Sequence, residues 1–144
     1  KKLVILARFV PELDGIQELL KRKQIGYASV RGGVSDRAEE IRRFQEDADC
    51  KVFVGQIAAA GLGITLTAAS TMVFYSLDYS MSNFEQAKAR IHRVSQTENC
   101  LYIYLTAKHT VDTKILRALR DKADLAKMLV DDYRNGSNPF QEGV

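Results

Sequence analysis

Tryptophan is absent from this chain of 144 residues, and cysteine, histidine and proline occur only twice each. Two cysteines without a C-x-x-C pair exclude a disulfide framework and a thiolate metal module. Cys50 and Cys100, each beside an expected strand, therefore read as buried thiols of a reducing compartment. His92 and His109 are too isolated to form a metal centre, and no metal ligand set is expected. No G-x-x-x-x-G-K-[ST] stretch occurs, so these residues carry no phosphate-binding P-loop. No apolar run approaches membrane-spanning length and no signal-peptide pattern opens the chain. The expectation is an intracellular protein (cytoplasm, nucleoid or nucleus) without a membrane partner. Charge of one sign is also lacking: a net charge of +3 allows a polyanionic partner without requiring one.

What is present has the size and composition of one domain with a real hydrophobic core. Residues 3–7 form a continuous apolar run, as in a strand buried on both faces. Pro11 suits the first turn of a helix reaching to about Lys23, with Leu13, Ile16, Leu19 and Leu20 facing inward. A second strand is expected over 25–30, then an Arg31-Gly32-Gly33 turn and a helix capped by Ser35 carrying Ala38, Ile41 and Phe44. Further strands are expected over 51–55, 72–76 and 101–106. Thr110 is placed to cap a long last helix with Val111, Ile115, Leu119, Leu129 and Val130 on its apolar side, and residues 134–144 read as an irregular tail. Alternating strands and helices with apolar strands predict an α/β fold, an open, mostly parallel sheet with helices on both faces. Ligands of such sheets bind at the carboxyl ends of the strands, where the Gly32 turn and the Gly61 loop both fall. Lys1-Lys2 running straight into a strand reads as a piece cut from a longer protein.

The most informative stretch is Gln86 to Gln96. Continued as one helix, it places Gln86, Arg90 and Arg93 at i, i+4 and i+7 on one stripe, and Phe84, Ala87, Ile91 and Val94 on an apolar one. Ser82-Asn83-Phe84-Glu85 has the form of a capping box marking the helix start. Two guanidiniums one turn apart beside an amide are either a solvated surface or a phosphate or nucleic-acid site, because the planar, permanently charged group suits bidentate phosphate contact.

Segments in this order and spacing resemble the C-terminal, RecA-like motor domain of superfamily-two helicases, in the Snf-type branch of double-stranded DNA translocases. Residues 2–9, KLVILARF, look like motif IV. Gly32, Arg37 and Phe44 fit the G-x(4)-R-x(6)-F segment after it. Residues 52–67, VFVGQIAAAGLGITLT, resemble motif V, and residues 86–96 resemble motif VI, Q-x-x-x-R-x-H-R-x-x-Q. Thr110-Val111-Asp112 with Ile115 is similar to the element that opens the closing helix of the family. The chain departs from the branch at Thr65, Ala60 and Ser95 and at Asp78-Tyr79-Ser80-Met81. The arginines are untouched.

The resemblance implies half of a DNA-dependent ATPase with a three-layer α/β domain over residues 1–133. Arg90 and Arg93 would be arginine fingers and Gln86 would align the site or relay its state to DNA. They would act on ATP and Mg2+ held by an N-terminal RecA-like domain of the same chain, with the magnesium ligands outside this fragment. The isolated fragment is then expected to be inactive. Gly61 and Gly63 would bring backbone amides to a phosphate, or serve a turn that needs glycine for its own geometry. Arg8, Gly32, Arg37, Thr65 and Thr67 would contact the backbone of duplex DNA. For Arg37 the ordinary alternative is an ion pair with Glu40, and for the threonines a helix cap. The competing functional reading is a motor-like module that only binds nucleic acid or a partner protein. The retained arginine pair argues against it.

Overall fold

The computed structural model describes residues 1–31, 36–58 and 63–136. Strands β1 (Lys2–Ala7), β2 (Gly26–Val30), β3 (Cys50–Gln56), β4 (Ala69–Phe74) and β5 (Leu101–Tyr104) form one sheet in the order β2-β3-β1-β4-β5. Every pairing is parallel, the arrangement that near-continuous apolar strands and helical crossovers dictate. The helices are α1 (Val10–Arg22), α2 (Arg37–Glu46), α3 (Met81–Lys88) and α4 (Val111–Arg134). The expected α/β class is the one observed.

Strand alternation sorts the core into two halves. On one face Val4, Leu6, Phe53, Met72 and Phe74 meet Phe44 of α2, Phe84 and Ala87 of α3, and Ile115 and Leu119 of α4. On the other, Ala7, Val52 and Val54 meet Leu13, Ile16 and Leu20 of α1. Among the described residues, α2, α3 and α4 thus cover one face and α1 the other.

Several expected details are corrected. Leu19 is exposed: the inward stripe of α1 is the narrower set Leu13, Ile16 and Leu20. Asp36, whose side chain accepts from the Glu39 amide, caps α2, and Ala38 faces solvent; Ser35 lies outside the described residues. Ser80, not Ser82, caps α3 by accepting from the Asn83 amide. Asp78 accepts from the Ser80 amide and fixes the chain entering that cap. In α4 Ile115 and Leu119 are buried, whereas Val111 and Val130 are exposed. That helix runs to Arg134, the first residue of the expected tail.

The largest correction concerns the arginine segment. Helix α3 stops at Lys88, so Gln86, Arg90 and Arg93 do not share a helical stripe. Past Ala89 the amides of Arg90 and Ile91 reach back three residues, to the carbonyls of Ala87 and Lys88. Tertiary hydrogen bonds outcompete continuation of the helix. The Arg90 carbonyl accepts from the Leu66 amide, and the Ile91 carbonyl from the Gln96 side chain. Val94, expected to be buried, is fully exposed as a result.

Candidate nucleotide and nucleic-acid site

The described chain resumes at Gly63 and enters β4 at Ala69. Gly63 on this leg has φ +73° with open space around it, so backbone conformation requires glycine there and packing does not. Thr65 and Thr67 follow. The turn after α3 lies against residues 65–69, joined by the Leu66 amide donating to the Arg90 carbonyl and by one side chain: Gln96 Nε2 donates to the carbonyls of Thr67, Ala69 and Ile91 at 3.3, 2.8 and 3.1 Å. Its Oε1 accepts from the Glu98 amide. Gln96 therefore ties the arginine turn to the start of β4.

That scaffold brings Arg90, Arg93 and Thr65 together. Arg93 is exposed; its Nη1 donates to Thr65 Oγ1 at 2.9 Å and its Nε to the Ala89 carbonyl at 3.3 Å. Both acceptors are neutral, and among the described residues the Arg93 side chain has no ion pair, so these bonds steer its charge without neutralising it. Arg90 is only 8% exposed. Burial depresses its pKa, and the neighbouring charge of Arg93 adds to the effect. A buried guanidinium thus lies beside an exposed one of the same charge, and planar guanidiniums of this kind suit bidentate contact with an anion such as a phosphate.

Gln86 is exposed on α3, and its side-chain amide donates to Ser82 Oγ. The hydroxyl of Thr67 accepts from Gln45 at 3.2 Å and from Ser95 at 3.5 Å, and Gln45 also accepts from the Ala68 amide. Gln45 is a contact that sequence spacing did not reveal, because its partners lie more than twenty positions away.

Arg8 lies elsewhere, at the carboxyl end of β1. Its guanidinium rests over the Phe9 ring, 5.0 Å from the centroid, and its amide donates to Ser76 Oγ at 2.6 Å. Ser76 in turn donates to Glu12 Oε2, which also accepts from the Phe9 amide and so closes the first turn of α1. Arg37 opens α2, and among the described residues its side chain has no ion pair. Glu40, its expected alternative partner, bonds instead to Arg43 and to the Ser29 amide. Gly32 and Gly61 lie outside the described residues. Also among the described residues, no group of three or more histidine, cysteine or carboxylate side chains converges as a metal site, and no helix is long and apolar enough to cross a membrane.

Gln96 carries a direct prediction. Gln96→Leu removes the donor from three carbonyls and should destabilise the domain by about 1–3 kcal/mol. The urea midpoint reads this; an unchanged midpoint would mean that water replaces the amide at no cost.

The family described as "Helicase conserved C-terminal domain" matches residues 1–95. The chain is 35% identical over 127 residues to SWI/SNF-related matrix-associated actin-dependent regulator of chromatin subfamily A-like protein 1 of Drosophila melanogaster, covering 87% of this chain and 17% of that protein. It is 34% identical over 142 residues to the human SWI/SNF-related regulator of subfamily A containing DEAD/H box 1, covering 96% of this chain and 14% of that protein. Against the chromatin-remodeling ATPase INO80 of Cryptococcus neoformans var. neoformans serotype D (strain B-3501A) it is 36% identical, covering 82% of this chain and 7% of the relative. The crystal structure of the C-terminal part of the Fun30 ATPase domain superposes with a TM-score of 0.79 at 27% identity, covering 83% of this chain and 39% of that one. The chain thus spans less than a fifth of the length of these curated relatives. Its parallel RecA-like sheet, its motif order and the match over residues 1–95 place this chain in the helicase conserved C-terminal domain family, with likeness to SWI/SNF-related regulators and to the chromatin-remodeling ATPase INO80.

Proposed function

We propose that this chain is the second motor domain of an ATP-dependent DNA translocase or helicase, and that Arg90 and Arg93 present positive charge to a nucleotide held by an N-terminal RecA-like domain of the same protein. The observation that carries this reading is the Arg90–Arg93 pair itself. The guanidinium of Arg90 is buried beside that of Arg93, which Thr65 aims and which has no carboxylate partner among the described residues. Phosphoryl transfer asks a protein for position and charge compensation more than for covalent chemistry. ATP with magnesium supplies the transferable phosphoryl group; in this reading magnesium ligation falls to the other domain. Arginines on a separate domain make turnover depend on closure, which couples the cycle to movement along DNA. Gln86, just before the turn, relays the state of the site to bound DNA. Gly61 and Gly63 offer backbone amides to a phosphate.

The same reading gives Arg8, Gly32, Arg37, Thr65 and Thr67 the phosphate backbone of duplex DNA, a contact without sequence preference. Each backbone phosphate that loses its cation should flatten log K against log salt by about 0.9. In the parent protein, Arg8→Ala combined with Arg37→Ala is expected to reduce that slope by about 2. The test is duplex-DNA affinity at several salt concentrations, beside ATP turnover with and without DNA. An unaltered slope would return both arginines to the solvated surface. The purified 144 residues should show no ATP turnover, and robust activity from them would overturn the two-domain account.

A further inference from the structure

Residues 65–69, just ahead of β4, are held from two sides. The arginine turn holds one: the Leu66 amide donates to the Arg90 carbonyl at 2.9 Å, Arg93 Nη1 to Thr65 Oγ1 at 2.9 Å, and Gln96 Nε2 to the Thr67 and Ala69 carbonyls. Helix α2 holds the other, and among the described residues its hydrogen bonds to this segment come from one side chain. Gln45 Nε2 donates to Thr67 Oγ1 at 3.2 Å, and Gln45 Oε1 accepts from the Ala68 amide at 2.8 Å. The same hydroxyl oxygen of Thr67 meets Ser95 Oγ, inside the arginine turn, at 3.5 Å. Both ends of the Gln45 amide are therefore bonded, and both to the strip that aims Arg93.

Gln45 stands near one end of a helix whose other end is Arg37. Arg37 opens α2, past the carboxyl end of β2. About 12 Å along the helix axis, Gln45 is at the opposite edge of the sheet, where Lys2, the first residue of β1, donates to the carbonyls of Phe44 and Asp47. Between these ends α2 is fastened to β2. Glu40 Oε2 accepts from the Ser29 amide at 2.8 Å, Arg43 Nη2 donates to the Tyr27 carbonyl, and Arg43 pairs with Glu40 at 3.2 Å. Phe44 seals the helix onto the core. Packing alone would be served by an aliphatic side chain at position 45. A half-buried amide costs free energy unless its ends are bonded, and its bonds fix angle as well as distance.

We infer that Gln45 is a positioning residue for the arginine turn: it sets Thr67 and Ala68 against α2, and through them the seat on which Arg93 is aimed. The inference rests on the role given above to Arg90 and Arg93, and it joins that role to Arg37 at the far end of the same helix. A phosphate backbone held by Arg37 fixes α2. Gln45 passes the position of α2 to Thr67 and Ala68, and Thr65, on the same strip, orients the guanidinium. Loss of the Gln45 amide keeps every charge and misplaces the one that matters. An error of about 1 Å in such a group costs about 10²-fold in rate.

The test is ATP turnover of the full-length parent at saturating duplex DNA. Gln45→Met keeps the length of the side chain and loses both bonds; Gln45→Glu keeps an acceptor for the Ala68 amide and guards against a methionine variant that does not fold. Gln45→Met is expected to lower kcat by about 10- to 100-fold, with KM for ATP and Kd for duplex within about threefold of wild type. Gln45→Glu should recover part of the loss. Arg37→Ala added to Gln45→Met should lower kcat by a smaller factor than Arg37→Ala does alone, because both act through one helix. Wild-type kcat in Gln45→Met, a loss confined to KM or to the folded fraction, or independent losses in the double variant would each overturn the inference. Arg93→Ala, measured beside them, separates the two claims. At wild-type rate it would overturn the arginine reading and this inference with it; collapsed beside an unimpaired Gln45→Met, it would overturn the inference alone.

Discussion

Arg93→Ala in the parent protein is expected to lower DNA-stimulated ATP turnover by about 10³- to 10⁵-fold, the range an arginine finger contributes to phosphoryl transfer. Nucleotide affinity should be largely kept, since the finger acts on charge that develops in the transition state. The geometry also sets the outcome for a conservative change. Arg93 uses one nitrogen on Thr65 Oγ1 and another on the Ala89 carbonyl, which leaves part of its planar fork facing outward. Lysine has one nitrogen and cannot hold both anchors while presenting a donor, so Arg93→Lys should recover little of the rate. Thr65→Val removes one anchor and keeps the charge; an intermediate loss there would show that aim, as well as charge, matters. Single-turnover kinetics with a nucleotide-binding measurement separates these effects. Turnover in Arg93→Ala equal to wild type would make the residue a solvated surface group and favour the binding-module reading.

Legibility of this chain followed the range of the interactions. Strands were readable because β1 and β3 are apolar runs bounded by turn residues, and the helical stripes of α1 and α2 are local patterns. The arginine pair was readable as a pair because its spacing is short. Its geometry was not. The sequence from Gln86 to Val94 keeps a helical period that local propensity supports, yet the chain leaves the helix at Lys88. The reasons, Leu66 bonding to the Arg90 carbonyl and Gln96 bonding to three others, are tertiary and lie up to 29 positions away. Helix caps slipped for a related reason. Ser82 and Ser80 both suit a cap, and the Asp78 carboxylate accepting from the Ser80 amide decides between them. Exposure of Leu101, Ile103 and Leu105 was invisible to periodicity, because an apolar strand reads the same whether or not its cover is present.

Phe74→Ala should be the most damaging single truncation outside the arginine site, at about 3–5 kcal/mol. Phe74 is fully buried on β4. Its ring lies 4.7 Å from that of Phe84 on α3 and 5.0 Å from that of Tyr104 on β5, the latter nearly parallel. Aromatic pairs add about 0.5–1.5 kcal/mol beyond buried area, and this one ring takes part in two of them. The loss would be a large share of the 5–15 kcal/mol that holds a typical domain together. It would also be felt locally. Phe84 anchors the helix whose end carries the arginine turn, and the Tyr102 hydroxyl donates to the Lys88 carbonyl at the last turn of that helix. Collapse around an alanine at position 74 would shift α3 against β5, and Arg90 with it. Denaturant unfolding should therefore show a lowered midpoint. At temperatures where the variant is still folded, ATP turnover of the parent should fall by more than the remaining folded fraction explains. A fall matching that fraction would mean that the turn keeps its place without the Phe74 ring and that Gln96 and Leu66 alone hold the arginines.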